Sequence, residues 1–238
     1  MTQRARDLYR HALNKNLVLE RGGLSGRIVR SVGARFGPLL ARGARALFSE
    51  RVVEYPFVLR ALPDPPLRVL DLGAYEDLLA MHLASLGYEV VARDLRGYPF
   101  EHENLAVDRR DVFDGVEPAS FDAVVSVSTI EHVGLASANG VVDDEGDRRC
   151  VEILLRAVRP GGVLVATVLF GRAQTLPGFR VYDPVRLDRT FPGSDVTVFQ
   201  KDSAFGTWRA VPPEAAADAE LDSGVAPVRA VACLVCRR

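Results

Sequence analysis

Two residues in "STIEHVGL", Glu131 and His132, directly follow an apolar run and carry groups that can move protons. An imidazole titrates near neutrality and can take the proton of a hydroxyl. It can equally hydrogen-bond nearby backbone and shape a loop, and both readings stand for His132. Glu131 has three: a partner for a ligand's ammonium, a positioner of an acceptor, or a cap for the following turn. Three further carboxylates close apolar runs: Asp71 in "VLDLGAYED", Asp94 in "VVARDLRG" and Asp111 in "DRRDVFD". An acidic residue about twenty positions past a glycine turn suits the hydroxyls of a ribose, and Asp94 stands so relative to Gly73. Asp71 and Asp111 also fit turn or cap chemistry at strand ends. His11, His82 and His102 stand in no comparable pattern, and His82 falls within an expected helix, half-buried.

The turn after Gly73 is poor in glycine. A dinucleotide site needs glycines so that backbone amides reach a pyrophosphate at a helix start. Here Ala74 and Tyr75 follow, then Glu76 and Asp77, and two carboxylates at that position repel phosphate. They tolerate a cation. S-adenosylmethionine has no phosphate and carries a sulfonium and an ammonium, so the turn counts against NAD and much less against that molecule.

The elements that must hold these residues alternate along the chain. Apolar runs at Arg68–Leu72, Glu89–Ala92, Leu105–Val107, Phe121–Val127 and Gly162–Leu169 are separated by helical patterns, which predicts a parallel sheet with helices on both faces. Ligands bind such sheets at the carboxyl ends of the strands, where all the residues above fall. A short helix at "DPVRLDRTF" and strands near Val196–Gln200 and Val228–Cys236 complete the pattern. The break "PDPP" separates residues 63–238 from a basic, mostly helical cap at residues 1–62. That cap holds 12 basic and 4 acidic residues in a chain with 30 and 31. Its arginines form a solvated face, a lid that meets a phosphorylated acceptor, or a weak anchor on anionic membrane. Aromatics are too sparse among them for nucleic-acid binding.

No apolar run approaches the ~20 residues of a membrane helix, and the first residues have no signal core, so a cytoplasmic location is expected. Three cysteines agree with a reducing compartment. The C-x-x-C of Cys233 and Cys236 lies in a strand pattern, where three-residue spacing puts the two on opposite faces. The acidic "DDEGD" at Asp143–Asp147 reads as the charged start of a helix with an Asp N-cap, and no metal is expected there.

The stretches "VLDLGAYEDLLAMHLASLGYEVVARDLRGYPFEHENL", "FDAVVSVSTIEHVGL" and "AVRPGGVLVATVLFG" resemble class I S-adenosylmethionine-dependent methyltransferases. The likeness runs from about Val52 to Arg238 and is greatest to a bacterial branch associated with glycan or secondary-metabolite biosynthesis. It departs at the first motif, where the wider family has G-x-G-x-G and this chain has Tyr75 and Asp77. The resemblance implies a Rossmann-like α/β sandwich: a mostly parallel seven-stranded sheet, an antiparallel C-terminal hairpin and a helical N-terminal cap. It implies S-adenosylmethionine as cofactor, held by Asp71, Gly73, Ala74, Tyr75, Asp94, Leu95, Asp111, Val112, Ser126 and Ser128. In that scheme Asp94 takes the ribose hydroxyls, Asp111 faces the adenine amino group and Val112 packs on the ring, while His132 and Glu131 are the catalytic candidates.

The expected function is methyl transfer to oxygen or nitrogen of a small molecule, with a sugar or glycosylated natural product implied by the branch. Two rivals follow from the residues. A protein that keeps the fold but binds cofactor weakly would serve as a scaffold or regulator. A carbon-methylating or non-methylating enzyme would use the same pocket without a base. A homodimer is compatible with the sequence.

Overall fold

The computed structural model describes residues 18–19, 46–47, 49–135, 142–202, 206–220 and 229–238. Most of the basic N-terminal region lies outside these. Its described parts are a two-residue antiparallel ladder, β1 (Val18–Leu19) with β2 (Ala46–Leu47), and helix α1 (Arg51–Ala61).

The main sheet follows the apolar runs closely. Its strands are β3 (Arg68–Leu72), β4 (Glu89–Arg93), β5 (Leu105–Asp108), β6 (Phe121–Val127) and β7 (Val158–Leu169). A tiny hairpin of β8 (Gln174–Thr175) and β9 (Arg180–Val181) comes next, then β10 (Asp195–Gln200), β11 (Arg209–Val211) and β12 (Ala230–Arg237). The helices are α2 (Leu79–Ser85), α3 (Gly146–Ala157), α4 (Pro184–Thr190) and the single turn α5 (Pro213–Ala216).

The order across the sheet is β11-β10-β12-β7-β6-β3-β4-β5. The central pairs are parallel, whereas β12 runs antiparallel to both β7 and β10. The expected C-terminal antiparallel pair is thus β10 and β12, and β11 adds a short eighth strand at the edge. Strand order reverses between β3 and β6, which opens a crevice at their carboxyl ends.

Alternation along each strand divides the core between two faces. On β7, Leu164, Ala166 and Val168 face α3 and α4, while Val163 and Val165 face α2. The buried face of α3 is Cys150, Val151, Leu154 and Ala157, a helical stripe. Cys236 belongs to the first face and Cys233 to a small cluster on the opposite side with Leu169, Val181 and Val231. Both are buried free thiols, on opposite faces as their spacing predicts.

Several local expectations need correction. The helix after Gly73 does not start at once: a 3-10 turn, Ala74–Glu76, intervenes, and α2 begins at Leu79. Its N-cap is Leu78, which makes no side-chain cap bond, and the Oδ1 of the preceding Asp77 accepts the Leu79 N–H at 3.0 Å. His82 is exposed, with its ring edge-on to Tyr55. The N-cap of α3 is Glu145 and makes no side-chain cap bond. The start of α3 is set by packing: a Cβ on Gly146 would lie 2.7 Å from the Gly134 Cα, so the two backbones abut. Asp183 caps α4, with Pro184 in its first turn, as "DPVRLDRTF" suggests. No described helix is long and apolar enough to cross a membrane.

Candidate active site

A cleft of about 690 Å³ opens at the carboxyl ends of β3, β4, β6 and β7. Gly73, Asp94, Leu95, Asp111, Val112, Ser128, Glu131 and His132 all line it. Asp71, Ala74, Tyr75 and Ser126 do not reach its wall. Ala74 and Ser126 are fully buried, and the Ser126 Oγ donates to the Leu72 carbonyl at 3.4 Å, so these two act through packing.

The turn after β3 is built around Asp94. Its Oδ2 accepts the Tyr75 N–H at 3.4 Å and its Oδ1 accepts the Arg96 N–H at 2.8 Å. The Arg96 guanidinium lies over the Tyr75 ring, 4.2 Å from its centroid. Tyr75 therefore orients Asp94 from outside the cleft. Gly73 has φ +85, and a Cβ there would fall 2.0 Å from the Thr129 Oγ1. Only glycine lets β3 end so close to the loop after β6. Asp111 is partly committed to capping: its Oδ1 accepts the Phe113 N–H at 3.0 Å, and its own N–H donates to the Asp114 Oδ2 at 3.0 Å. Asp111 thus caps a turn and also lines the cleft.

Two carboxyls lie buried here, Glu131 in the cleft wall and Asp71 behind it. Asp71 is 1% exposed and neither carboxyl oxygen has a hydrogen-bond partner among the described residues. Burial first, then the charge of Asp77, pushes its pKa well above the usual range. Glu131 is fully buried, its oxygens equally without partners, and burial pushes its pKa up to about 8.

Helix α1 supplies what sequence reasoning missed. Glu54, fully buried, accepts from the Ser128 Oγ at 2.8 Å and the Thr167 Oγ1 at 2.7 Å, and pairs with Arg51. Arg51 donates to the Ser128 Oγ at 3.0 Å and lines the cleft. Burial opposes its charge, but Glu54, Glu50 and Asp77 outweigh that and raise its pKa. Ser128 itself holds φ +44, a left-handed conformation unusual outside glycine, and this network fixes it there. The only trace in the sequence is the i, i+3 spacing of Arg51 and Glu54, which any exposed helix also shows.

His132 is held from the other side. Its Nδ1 lies 2.6 Å from the Gly178 carbonyl, between β8 and β9. A carbonyl only accepts, so Nδ1 carries a proton, and in the neutral form of the ring Nε2 is the basic nitrogen. Arg180 secures that hairpin. Its guanidinium, 1% exposed, donates to the Val133 and Asp143 carbonyls and lies 3.6 Å from Asp147, which also accepts from the Tyr182 hydroxyl at 2.8 Å. Of the acids of "DDEGD", Asp143, Glu145 and Asp147 are accordingly engaged by arginines and backbone. Among the described residues no three His, Cys, Asp or Glu side chains gather as a metal site.

The donor set fits S-adenosylmethionine. Asp94 offers acceptors for a diol, the buried carboxyls of Asp71 and Glu131 await polar or cationic partners, and Leu95 and Val112 give apolar surface for a ring. A dinucleotide fits badly, because the Asp77 carboxylate already occupies the N-terminus of α2, where phosphate would bind.

A methyltransferase domain family model matches residues 42–214. The chain belongs to that family. The expectation of an enzyme using S-adenosylmethionine agrees with this membership. A ubiquinone biosynthesis O-methyltransferase from Methylocella silvestris is 36% identical over 114 residues, covering 43% of this chain and 40% of that protein. The match thus spans well under half of the curated relative. Among solved structures, a SAM-dependent methyltransferase from Methanosarcina mazei aligns with TM-score 0.52 at 14% identity, covering 77% of this chain and 97% of its own. One from Mesorhizobium loti gives 0.51 at 16% identity, with 78% and 97% covered. A 1,6-didemethyltoxoflavin-N1-methyltransferase from Burkholderia thailandensis gives 0.50 at 14% identity, with 98% and 86% covered. At these identities the likeness is one of fold: the Rossmann-like α/β sandwich of class I methyltransferases.

Proposed function

We propose that this chain transfers the methyl group of S-adenosylmethionine to a hydroxyl of a small molecule, with His132 as general base. The observation that carries this is the 2.6 Å contact between the His132 Nδ1 and the Gly178 carbonyl, which leaves Nε2 as the basic nitrogen on a residue of the cleft wall. The cofactor supplies an electrophilic methyl group when bound. Asp94 binds the ribose hydroxyls, with Asp111, Val112 and Leu95 around the base, and Asp71 and Glu131 compensate positive charge near the floor. His132 removes the hydroxyl proton as the new bond forms. The walls Val127, Val133, Leu169 and Phe179 exclude water and favour an apolar surface on the acceptor.

An O-methyltransferase among the relatives agrees with a hydroxyl acceptor. A glycosylated natural product, the class implied by the branch resemblance, offers both a hydroxyl and an apolar face. The polar groups of the cleft argue against a carbon-methylating pocket, and a site this complete argues against a bare scaffold. A cytoplasmic location belongs to the same reading, supported by three free thiols. The test is transfer of isotopically labelled methyl from S-adenosylmethionine to a panel of hydroxylated glycosides, phenols and amines, read by mass. Labelled methyl ethers support the reading, and labelled amines alone replace the oxygen acceptor with nitrogen.

A further inference from the structure

Glu131 combines three properties that no structural role accounts for. It is fully buried, neither of its oxygens meets a donor from any other described residue, with its own backbone N–H only partly offsetting the burial, and it lines the cleft. A buried carboxyl normally pairs with a donor or cation, and one left alone stays neutral by holding its proton. The charged groups around it do not change that. On α1 and its cap, Glu54 and Glu50 oppose a second negative charge. Arg51 favours one but is already paired with Glu54 and Glu50. From beyond β9, Tyr182 faces Glu131 and gives its hydroxyl proton to Asp147. On its own turn, His132 is tied to Gly178.

We propose that Glu131 is the group by which the cleft distinguishes a sulfonium ligand from the neutral thioether left after methyl transfer. This rests on the cofactor assignment above. As a cationic ligand binds, Glu131 releases its proton to solvent and becomes the counter-charge the cation needs. When the methyl group has left and the ligand is neutral, the carboxylate again lacks a partner and takes a proton back from solvent. No bond to Glu131 forms or breaks except O–H. The consequence is a cleft that holds substrate-side cofactor more tightly and loosens on the product, with pH setting the ratio.

The experiment is calorimetry on the full chain with S-adenosylmethionine and S-adenosylhomocysteine, near pH 7, in phosphate and in Tris, whose ionisation heats differ. The sulfonium should release about one proton more than the thioether, since the site exchanges one proton for one charge. In the unaltered chain the affinity ratio, sulfonium over thioether, should climb by up to tenfold per pH unit below about pH 8 and level off above it. Glu131→Gln should bind both ligands, lose the difference in proton release and flatten the ratio; His132→Gln should keep both. Equal proton release by the two ligands, a ratio independent of pH in the unaltered chain, or a difference that survives Glu131→Gln overturns the proposal and leaves the cofactor assignment standing. No binding of either ligand overturns both.

Discussion

His132 carries its assignment through one hydrogen bond, and the bond decides which nitrogen is basic. If it is the base, His132→Ala should lower turnover about 10²–10⁴-fold, the usual worth of general base catalysis, with cofactor affinity and melting temperature little changed. His132→Gln should be as slow, and the rate of the unaltered chain should fall in acid as the imidazole protonates. Joint loss of turnover, affinity and stability would assign His132 to shaping the loop. Asp94 is the matching test at the cofactor end. Two ribose bonds to a charged acceptor make Asp94→Ala about 2–4 kcal/mol weaker for S-adenosylhomocysteine, read by calorimetry, with the fold intact. Both residues are legible in the sequence because each closes an apolar run at the end where such sheets bind ligands. Tyr75 is also legible as a departure from glycine, but its use is not: it supports Asp94 through a backbone N–H, which side-chain identity does not advertise.

At the scale of elements, α1 and the β8–β9 hairpin grip the site from two sides. All strands of the sheet but β11 are legible as apolar runs and their bounds agree with the structure to within two residues, except that β7 begins four residues early; β11, three residues at the edge, is too short to show. The helical pattern of α1 is legible, but its grip on the site and the hairpin are not, for a physical reason. Glu54 is buried with donors from far along the chain, Ser128 and, 113 positions later, Thr167, and the hairpin strands are two residues each, too short to show alternation. Glu54→Ala should leave Arg51 buried without its main partner and cost about 3–5 kcal/mol, seen as a lower midpoint in urea unfolding. Thr167→Val removes one donor from Glu54 and should cost about 1–3 kcal/mol. Unfolding midpoints unchanged by both would mean that α1 packs by its apolar face alone. Whatever the rest of residues 1–62 does, α1 at the end of that segment is keyed to β7 through Glu54.

For the whole molecule, the sign of the buried charges governs both stability and ligand choice. Glu131 has a folded pKa of about 8 against an ordinary 4.5. Between those values the folded chain keeps a proton that the unfolded chain has released, so stability is full below the lower value and falls as pH rises towards the upper one. Asp71 shifts in the same direction. The melting temperature should therefore decline from about pH 5 to pH 8, and Glu131→Gln should make that decline shallower. In acid the sign reverses for Asp108, whose hydrogen bonds from Arg110 and then Arg93 hold its pKa below the usual range, so its contribution is lost as pH falls through that low value. The same surplus of carboxylates, with Asp77 bonded to the first N–H of α2, is what turns the cleft from phosphates towards a cationic, phosphate-free ligand. Titration calorimetry of the full chain with S-adenosylmethionine, S-adenosylhomocysteine and NAD tests that claim most directly. The account predicts micromolar binding of both sulfur ligands and no heat with NAD. No heat with either sulfur ligand up to millimolar concentration, or tighter binding of NAD than of either, would contradict it.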